Sequence, residues 1–452
     1  MNNIKRVLAS LASEYVNQQI SLQGFVRLRR DHGKLIFLDI RDRSGIIQVV
    51  VNPKVSETAY NVACELKPEY VVEIAGKVNK RPSGSANKQL VSGGFELEAK
   101  EIRIIAKAET LPFDMGSNEL NLELPTLLDH RALTLRSPKI SALFKIQKTI
   151  VSSFRDTLSK EEFIEIFPPT IVPVATEGGA EVFPIDYYSH RAYLGQSPQL
   201  YKQIMVGVFE RVFTVAHAYR AEPSITTRHL SEYISLDAEM GFIESWTEVM
   251  DMAEKVIINM LKEINEKNKN ELTLLGIELP NISKPFPRIK LREAQEIAFK
   301  RTKEDHRKAS DLDPIDEKEL CKWAKEETGA PFVFITHYPT KKRPFYTMPD
   351  PDDPEYTLSF DLLGFSEEWV TGGQRINDYK MLLEKIQDKG YKKENFELYL
   401  QAFKYGMPKE GGFAIGLERV TKDIIGLSNV REASLFPRDM ERIDERFSKL
   451  KK

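Results

Sequence analysis

Between residues 20 and 105 the apolar positions come in short alternating runs separated by turn-rich stretches. The runs are "ISLQGFVRLRR", "KLIFLDIRD", "IIQVVVN", "YVVEIAGKV" and "FELEAKEIRII", broken by turns such as "RDRSG" and "RPSGSANK". Alternation rich in Val, Ile and Phe marks strands with one face in a core. With one helical interruption around Val55 to Leu66, five such strands predict a small closed barrel of the OB type. In the second run Ile36, Leu38 and Ile40 share one face, while Phe37, Asp39 and Arg41 share the other. If the first set fills the barrel, Phe37 is left facing solvent, and the same parity puts Gln48 on the opposite side from Ile47 and Val49. An outward aromatic beside an amide, with Arg29 and Arg30 in the preceding loop, is what a platform for stacked RNA bases needs. The bland alternative is that another domain covers Phe37.

Downstream the pattern changes. Residues 106–136, "AKAETLPFDMGSNELNLELPTLLDHRALTLR", are polar and proline-containing and read as a hinge between a domain at 1–105 and a larger one at 137–452. Leu143, Ile146, Ile150, Phe154 and Leu158 follow helical spacing, and "FIEIFPP" is a strand stopped by two prolines. The runs "RVFTVAHAY" and "YISLDAEMGF" have strand composition and flank a loop, which predicts a long hairpin. Further on, "YKMLLEKIQDKG" and "ENFELYLQAFKYG" predict helices, and "GGFAIGLERVTKDIIGL" predicts a glycine-rich strand running into a helix.

Composition narrows the classes. The 452 residues include 65 Lys and Arg against 67 Asp and Glu, so no global basic field draws nucleic acid to the surface. Any RNA contact must come from local patches. Two distant cysteines, Cys64 and Cys321, exclude a disulfide scaffold or a cysteine zinc site and fit a reducing cytoplasm. No run of eighteen apolar residues occurs, which predicts a soluble chain with no membrane partner.

The hairpin loop carries the densest chemistry. "YRAEPSITTRHLSEY" sets Arg220, Arg228 and His229 among Glu222, Glu232 and the nearby Asp237. Both signs of charge held this closely suit a phosphate chain and a base gripped together, although a solvated hairpin with incidental ion pairs reads the same. The helix leading to a proline-stopped strand, the "YRAE" hairpin and "GFAIGLER" opening a helix together resemble the three signature motifs of class II aminoacyl-tRNA synthetases. "TEGGAEVFP", "QSPQLYKQ", "TGGQR" and "NVREASLFPRD" are similar to segments of the aspartyl-tRNA synthetases of archaeal and eukaryotic type. The resemblance spans nearly the whole chain.

What it implies is an α+β protein: an N-terminal OB-fold barrel that reads the anticodon, followed by a catalytic domain built on an antiparallel sheet flanked by helices. The implied chemistry joins aspartate to the 3′ end of tRNA-Asp through an adenylate, with ATP as substrate, Mg²⁺ as cofactor and a cytoplasmic homodimer as the working form. Charging of tRNA-Asn as well stays open. Arg220 matches the arginine bridging the α-phosphate and the substrate carboxylate, and Arg419 the one on the γ-phosphate; these two are the catalytic candidates. Glu222 matches the reader of the adenine amino group, and Arg228 and His229 the cations on the outer phosphates. Leu230 and Gly416 complete the ATP set. Glu368 matches the acidic ATP and Mg²⁺ ligand, with Thr371 standing where the family usually has serine. For aspartate, Lys202 and Arg375 match the cations facing the side-chain carboxylate, Glu177 the acid facing the ammonium, and Gln199 the pocket floor. Arg30, Phe37 and Gln48 match the contacts to the middle anticodon base.

Ala414 departs from the usual middle glycine of the third motif, which puts ATP affinity in question. Rival readings are an asparaginyl-tRNA synthetase, which lacks a lysine at the Lys202 position, and an asparagine synthetase paralogue, which lacks the barrel. A catalytically silent tRNA-binding paralogue is a third, and it has no need to keep the ATP ligands.

Overall fold

The structure is a computed structural model that describes residues 5–81, 84, 92–117, 119–174, 181–223 and 226–449. It divides into two compact units, 1–122 and 123–452.

In the first unit, β1 (Gln19–Asp31), β2 (Ile36–Asp42), β3 (Gly45–Val51), β4 (Val71–Lys80) and β5 (Phe95–Ala106) close a barrel in the order β1-β2-β3-β5-β4. Helix α1 (Glu57–Glu65) lies between β3 and β4 in sequence, and the Ser56 side chain caps it by accepting from the Ala59 amide. The alternation in β2 resolves as its parity demands: Ile36, Leu38 and Ile40 are buried with Ile47, Val49, Val72, Ile74 and Leu97, while Phe37 is only half-buried. Antiparallel register sets Phe37 opposite Arg30 and Asp39 opposite Gln48, so the predicted RNA face is assembled from three neighbouring strands. Residues 106–136, expected as a hinge, divide between the units. Met115 is buried and the Arg27 guanidinium donates to the Gly116 carbonyl at 3.0 Å, which ties the start of this segment to the barrel. Its end is helical and belongs to the second unit.

The second unit begins with α2 (Leu124–Asp129), α3 (Arg131–Thr134) and α4 (Pro138–Lys160), then β6 (Ile164–Glu165). Strands β7 (Ile171–Val172), β8 (Pro184–Tyr187) and β9 (His190–Leu194) form a small separate sheet. Helix α5 (Gln199–Phe209) leads into the hairpin β10 (Arg211–Tyr219) and β11 (Glu232–Gly241), followed by α6 (Thr247–Lys267) and α7 (Lys269–Leu275). Next come β12 (Arg288–Lys290), α8 (Leu291–Thr302), α9 (Pro314–Thr328), β13 (Phe332–Thr336), β14 (Ser359–Gly364) and β15 (Glu367–Gln374). The chain closes with α10 (Tyr379–Asp388), α11 (Glu397–Lys404), β16 (Glu410–Gly416) and α12 (Leu417–Ile425).

Eight strands make one sheet in the order β12-β13-β14-β15-β16-β11-β10-β6, parallel only at β12/β13 and β10/β6. This is the expected α+β architecture. The helical stripe of α4, Ile146, Ile150, Phe154 and Leu158, is fully buried and packs with Val256, Met260 and Ile264 of α6 over Phe213, Leu236 and Phe413 of the sheet. The other face of the sheet centre is left for the site. Gly412 makes room there: a Cβ would meet the Ala238 carbonyl and the Glu239 carboxylate, each at 2.2 Å. Neither backbone nor carboxylate can give way that far, so this position accepts glycine alone.

Candidate active site

The hairpin β10/β11, the first half of β15 and the start of α12 surround one cleft. Its walls include Arg220, Glu222, Arg228, His229, Leu230, Glu368, Thr371, Gly416 and Arg419, which are scattered through two hundred residues of sequence. Arg220 lies over the Tyr233 ring with its guanidinium carbon 5.4 Å from the centroid, and its Nη1 is 3.8 Å from Glu222 Oε1. The other Glu222 oxygen is 3.6 Å from His229 Nε2. Arg419 emerges from the first turn of α12 and donates to the Glu368 carbonyl at 2.9 Å and to its Oε1 at 3.3 Å. The amino end of α12 adds its own partial positive charge to this wall.

Arg228 is engaged more deeply than a free phosphate ligand. Its Nη1 meets Glu317 Oε2 of α9 at 2.6 Å and its Nε meets Glu367 Oε2 at 3.1 Å. Burial pushes the Glu317 carboxyl up to about 7 against the opposing pull of Arg228. Glu418, on the cleft wall, is likewise pushed up to about 7 by burial, although the Ile234 amide donates to both of its oxygens.

The acid at the far end of the cleft is not alone. Burial and the neighbouring Asp361 raise the Glu368 carboxyl, while Arg419 and Arg343 oppose the rise. A third of the Glu368 side chain stays open to the cleft, so solvent tempers the effect. Asp361 faces Thr371 across the β14/β15 register, and its Oδ1 is buried with no hydrogen-bond partner among the described residues. Arg343 fixes this corner, donating to Asp361 Oδ2 at 2.8 Å and to Thr371 Oγ1 at 3.4 Å while its guanidinium lies 3.9 Å from the Tyr338 ring centroid. Two carboxylates and a hydroxyl, all oxygen donors with one lone pair unspent, suit Mg²⁺. Among the described residues no group of three or more His, Cys, Asp and Glu could hold a metal ion unaided.

Next to this cleft the strands bury a lattice of charge. Lys202 of α5 is fully buried, its Nζ 3.1 Å from Asp237 Oδ2 and 3.3 Å from Glu239 Oε2, without the alignment of a hydrogen bond to either. Arg375 donates from Nε to Glu239 Oε1 at 2.7 Å and lies near Gln199, whose own amide donates to Glu239 Oε2 at 3.3 Å. Burial pushes the Glu239 carboxyl up, but Arg375 and Lys202 pull it below its ordinary value. Glu239 is thus a fixed anion paired with two cations in a dry site, the condition under which buried charges are tolerated. Glu177, assigned to the substrate ammonium, lies outside the described residues.

On the barrel, Arg30 binds Asp39 through both terminal nitrogens, at 3.0 and 2.8 Å. The Gln48 amide donates to Glu96 Oε2 and accepts from Arg81 Nη2, each at 3.0 Å. Phe37 meets the His32 ring edge-on at 5.4 Å between centroids. Arg30, Phe37 and Gln48 therefore share one face, with the polar pair already in hydrogen bonds that a base would have to replace.

Comparison with known proteins places this geometry. Residues 123–440 match the family model described as tRNA synthetases class II (D, K and N), and residues 20–105 match the OB-fold nucleic acid binding domain. The chain belongs to the class II tRNA synthetases. This synthetase is 43% identical over 447 residues to the aspartate–tRNA(Asp/Asn) ligase of Deinococcus radiodurans, covering 97% of this chain and 99% of that one. It is 41% identical to the aspartate–tRNA(Asp) ligase of Pyrococcus abyssi, with 96% and 98% covered. Among solved structures, the Pyrococcus horikoshii asparaginyl-tRNA synthetase complexed with asparaginyl-adenylate superposes with a TM-score of 0.86 at 32% identity, covering 95% of this chain and 97% of that one. The Entamoeba histolytica aspartyl-tRNA synthetase also gives 0.86, at 28% identity with 98% and 93% covered.

The linear motifs do not single out Glu239, Asp361 or Arg343 of this synthetase. For Glu239 a signal exists: Asp237 and Glu239 are two apart on one strand and so share a face. Asp361 and Arg343 have none, because their role depends on register between β14 and β15 and on the loop that packs beneath them.

Proposed function

We propose that the chain is an aspartate–tRNA ligase. The α-carboxylate of aspartate attacks the α-phosphorus of ATP, pyrophosphate leaves, and aspartyl-adenylate forms. The 3′-terminal ribose hydroxyl of tRNA-Asp then takes the aspartyl group and AMP leaves. The nucleophile of the first step is already an anion at neutral pH, so the protein need only position it and offset phosphate charge. Arg220 is suited to span the α-phosphate and the attacking carboxylate, and Arg419 to hold the outer phosphates. Glu222 reads the adenine amino group between the Leu230 and Gly416 walls. Arg228 and His229 reach the outer phosphates once Arg228 exchanges its carboxylate partners for them. Glu368 and Thr371, with Asp361, would hold Mg²⁺, which supplies further charge neutralisation on the phosphates.

The observation that carries this reading is the buried Lys202–Glu239–Arg375 lattice beside the cleft. A pocket for a neutral amide side chain has no need of two desolvated cations, whereas a carboxylate does. Gln199 lines its floor and Glu177 is the proposed partner of the ammonium. On the barrel, Phe37 stacks a splayed anticodon base while Gln48 and Arg30 contact it, the usual mode of reading unpaired RNA.

A cytoplasmic homodimer is the proposed working form. No helix among the described residues is long and apolar enough to cross a membrane. Ile164 in the edge strand β6, Phe167 just after it and Ile171 in β7 stay 44, 83 and 44% exposed, apolar surface that a second copy would cover. Sedimentation at micromolar concentration tests the dimer. The function itself is tested by amino-acid-dependent exchange of pyrophosphate into ATP with aspartate, asparagine and lysine in turn. Exchange with aspartate alone is expected; exchange with asparagine instead overturns the pocket assignment. Aminoacylation of purified tRNA-Asp and tRNA-Asn then reads tRNA choice.

A further inference from the structure

One ionisable group in the pocket wall is unused by the chemistry above. Glu410, the first residue of β16, is fully buried, and its backbone carbonyl accepts from the Arg375 amide at 2.9 Å. Its Oε1 accepts from Gln203 Nε2 at 2.8 Å, and the Gln203 carbonyl oxygen accepts in turn from the Tyr399 hydroxyl at 3.1 Å. Its Oε2 has no hydrogen-bond partner among the described residues. The groups that face it are Gln203 and Lys202 from α5, Glu239 from β11, Arg375 after β15 and Tyr399 from α11. Among the described residues no cation lies within ion-pair distance of it, since Lys202 is turned to Asp237 and Glu239 and Arg375 to Glu239.

The charge balance then decides its state. Lys202 and Arg375 are already matched by Asp237 and Glu239. A third carboxylate ionised here would make the pocket negative before any substrate arrived, in a place where an unpaired charge is very costly. Burial and the Glu239 charge both push the Glu410 carboxyl well above its ordinary range, with Gln203, Arg375 and Lys202 too weak to reverse it.

Resting on the aspartate-pocket reading, we propose that Glu410 is a specificity-determining positioning residue, an uncharged acid whose retained proton lets the Lys202 and Arg375 pair accept a negatively charged side chain. An aspartate carboxylate adds one negative charge to the pocket and is repelled by ionised Glu410; an asparagine amide adds none and is not. Binding of aspartate therefore favours the protonated form, and where Glu410 is ionised in the free protein a proton is taken up from solvent. Aspartate affinity falls as pH rises through the Glu410 midpoint, by at most about tenfold per pH unit.

The test measures the aspartate KM in pyrophosphate exchange from about pH 6 to 9 for the wild type and for Glu410→Gln, which keeps the shape and removes the titration. The wild-type KM is expected to climb once the pH passes the Glu410 midpoint and the variant to stay flat. Preference for aspartate over asparagine narrows with rising pH only in the wild type. An unchanged pH slope in Glu410→Gln overturns the proposal. Should that variant not fold, calorimetry on the wild type decides: aspartate binding compared in buffers of different ionisation enthalpy shows proton uptake if the proposal holds and none across the range if it fails. Lys202→Met separates the two levels. Undiminished aspartate use in that variant sinks the pocket reading itself, whereas its loss together with a persistent slope in Glu410→Gln sinks only the role of Glu410.

Discussion

The pocket around Lys202 and the barrel face around Phe37 are built from the same kinds of side chain, yet they treat them oppositely. In the pocket Lys202 and Glu239 are fully removed from solvent, and their partners, Asp237 and Arg375 besides each other, are buried with them. On the barrel the Arg30 side chain keeps 38% of its surface while paired with Asp39. Breaking the first arrangement leaves a charge stranded in a dry interior. Breaking the second returns Arg30 to water at little cost, while Asp39 stays largely covered. On the proposed roles, the pocket would be a rigid, preformed set of charges for one small substrate, and the barrel a set of exchangeable contacts for a base that docks and leaves.

Four measurements sharpen that contrast. The largest effect is expected from Lys202→Met, which should weaken aspartate binding by about 2–5 kcal/mol, the scale for breaking a desolvated charge pair. Titration calorimetry on protein shown to be folded by circular dichroism checks it, and near-wild-type affinity would remove the basis for the contrast. Next is Glu418, buried in the same unit. Its carboxyl is raised in the fold, so its contribution to stability is full below the ordinary Glu range and is lost as pH rises through about 7. Glu418→Gln should flatten that decline by up to about 3 kcal/mol between pH 5 and 8, read from urea midpoints at each pH. On the barrel, Phe37→Ala should cost about 1–3 kcal/mol in tRNA binding while leaving aspartate-dependent pyrophosphate exchange untouched. A change in the exchange rate would mean that Phe37 serves something other than RNA. The smallest effect belongs to Ala414, whose methyl lines the cleft opposite Thr371 in the β15/β16 register. Ala414→Gly is expected to shift the ATP KM by less than about threefold, within the range of substitutions that remove neither charge nor a hydrogen bond.

How far the sequence can be read follows the same divide. Alternation in "KLIFLDIRD" is enough to turn Phe37 outward, because strand parity is a local property. Helical spacing likewise places Leu143 to Leu158 in α4. The hairpin and the strand running into α12 are legible as linear motifs, and the resemblance they carry names the residues found around one cleft. Pairings across long stretches of chain are not legible. Arg228 meets Glu317 across 89 positions, and Arg375 meets Glu239 across 136. Nothing in the local pattern says which acid a cation will find, since that depends on sheet register and on how α9 packs. The need for glycine at 412 is invisible for the same reason, as the atoms that forbid a methyl belong to β11.

Strand β16 lies between β15 and β11 near the middle of the eight-stranded sheet, although it is among the last elements in the chain. A ribosome making this protein must therefore produce seven strands before the one that joins them. Until then the nascent chain presents two open edges, on β11 and β15, each with unpaired amides and carbonyls that any passing strand could use. All five barrel strands, by contrast, are made before residue 107. The nucleotide cleft is finished almost with the final residues, so a truncated product gains the RNA-reading part of this enzyme and none of its chemistry.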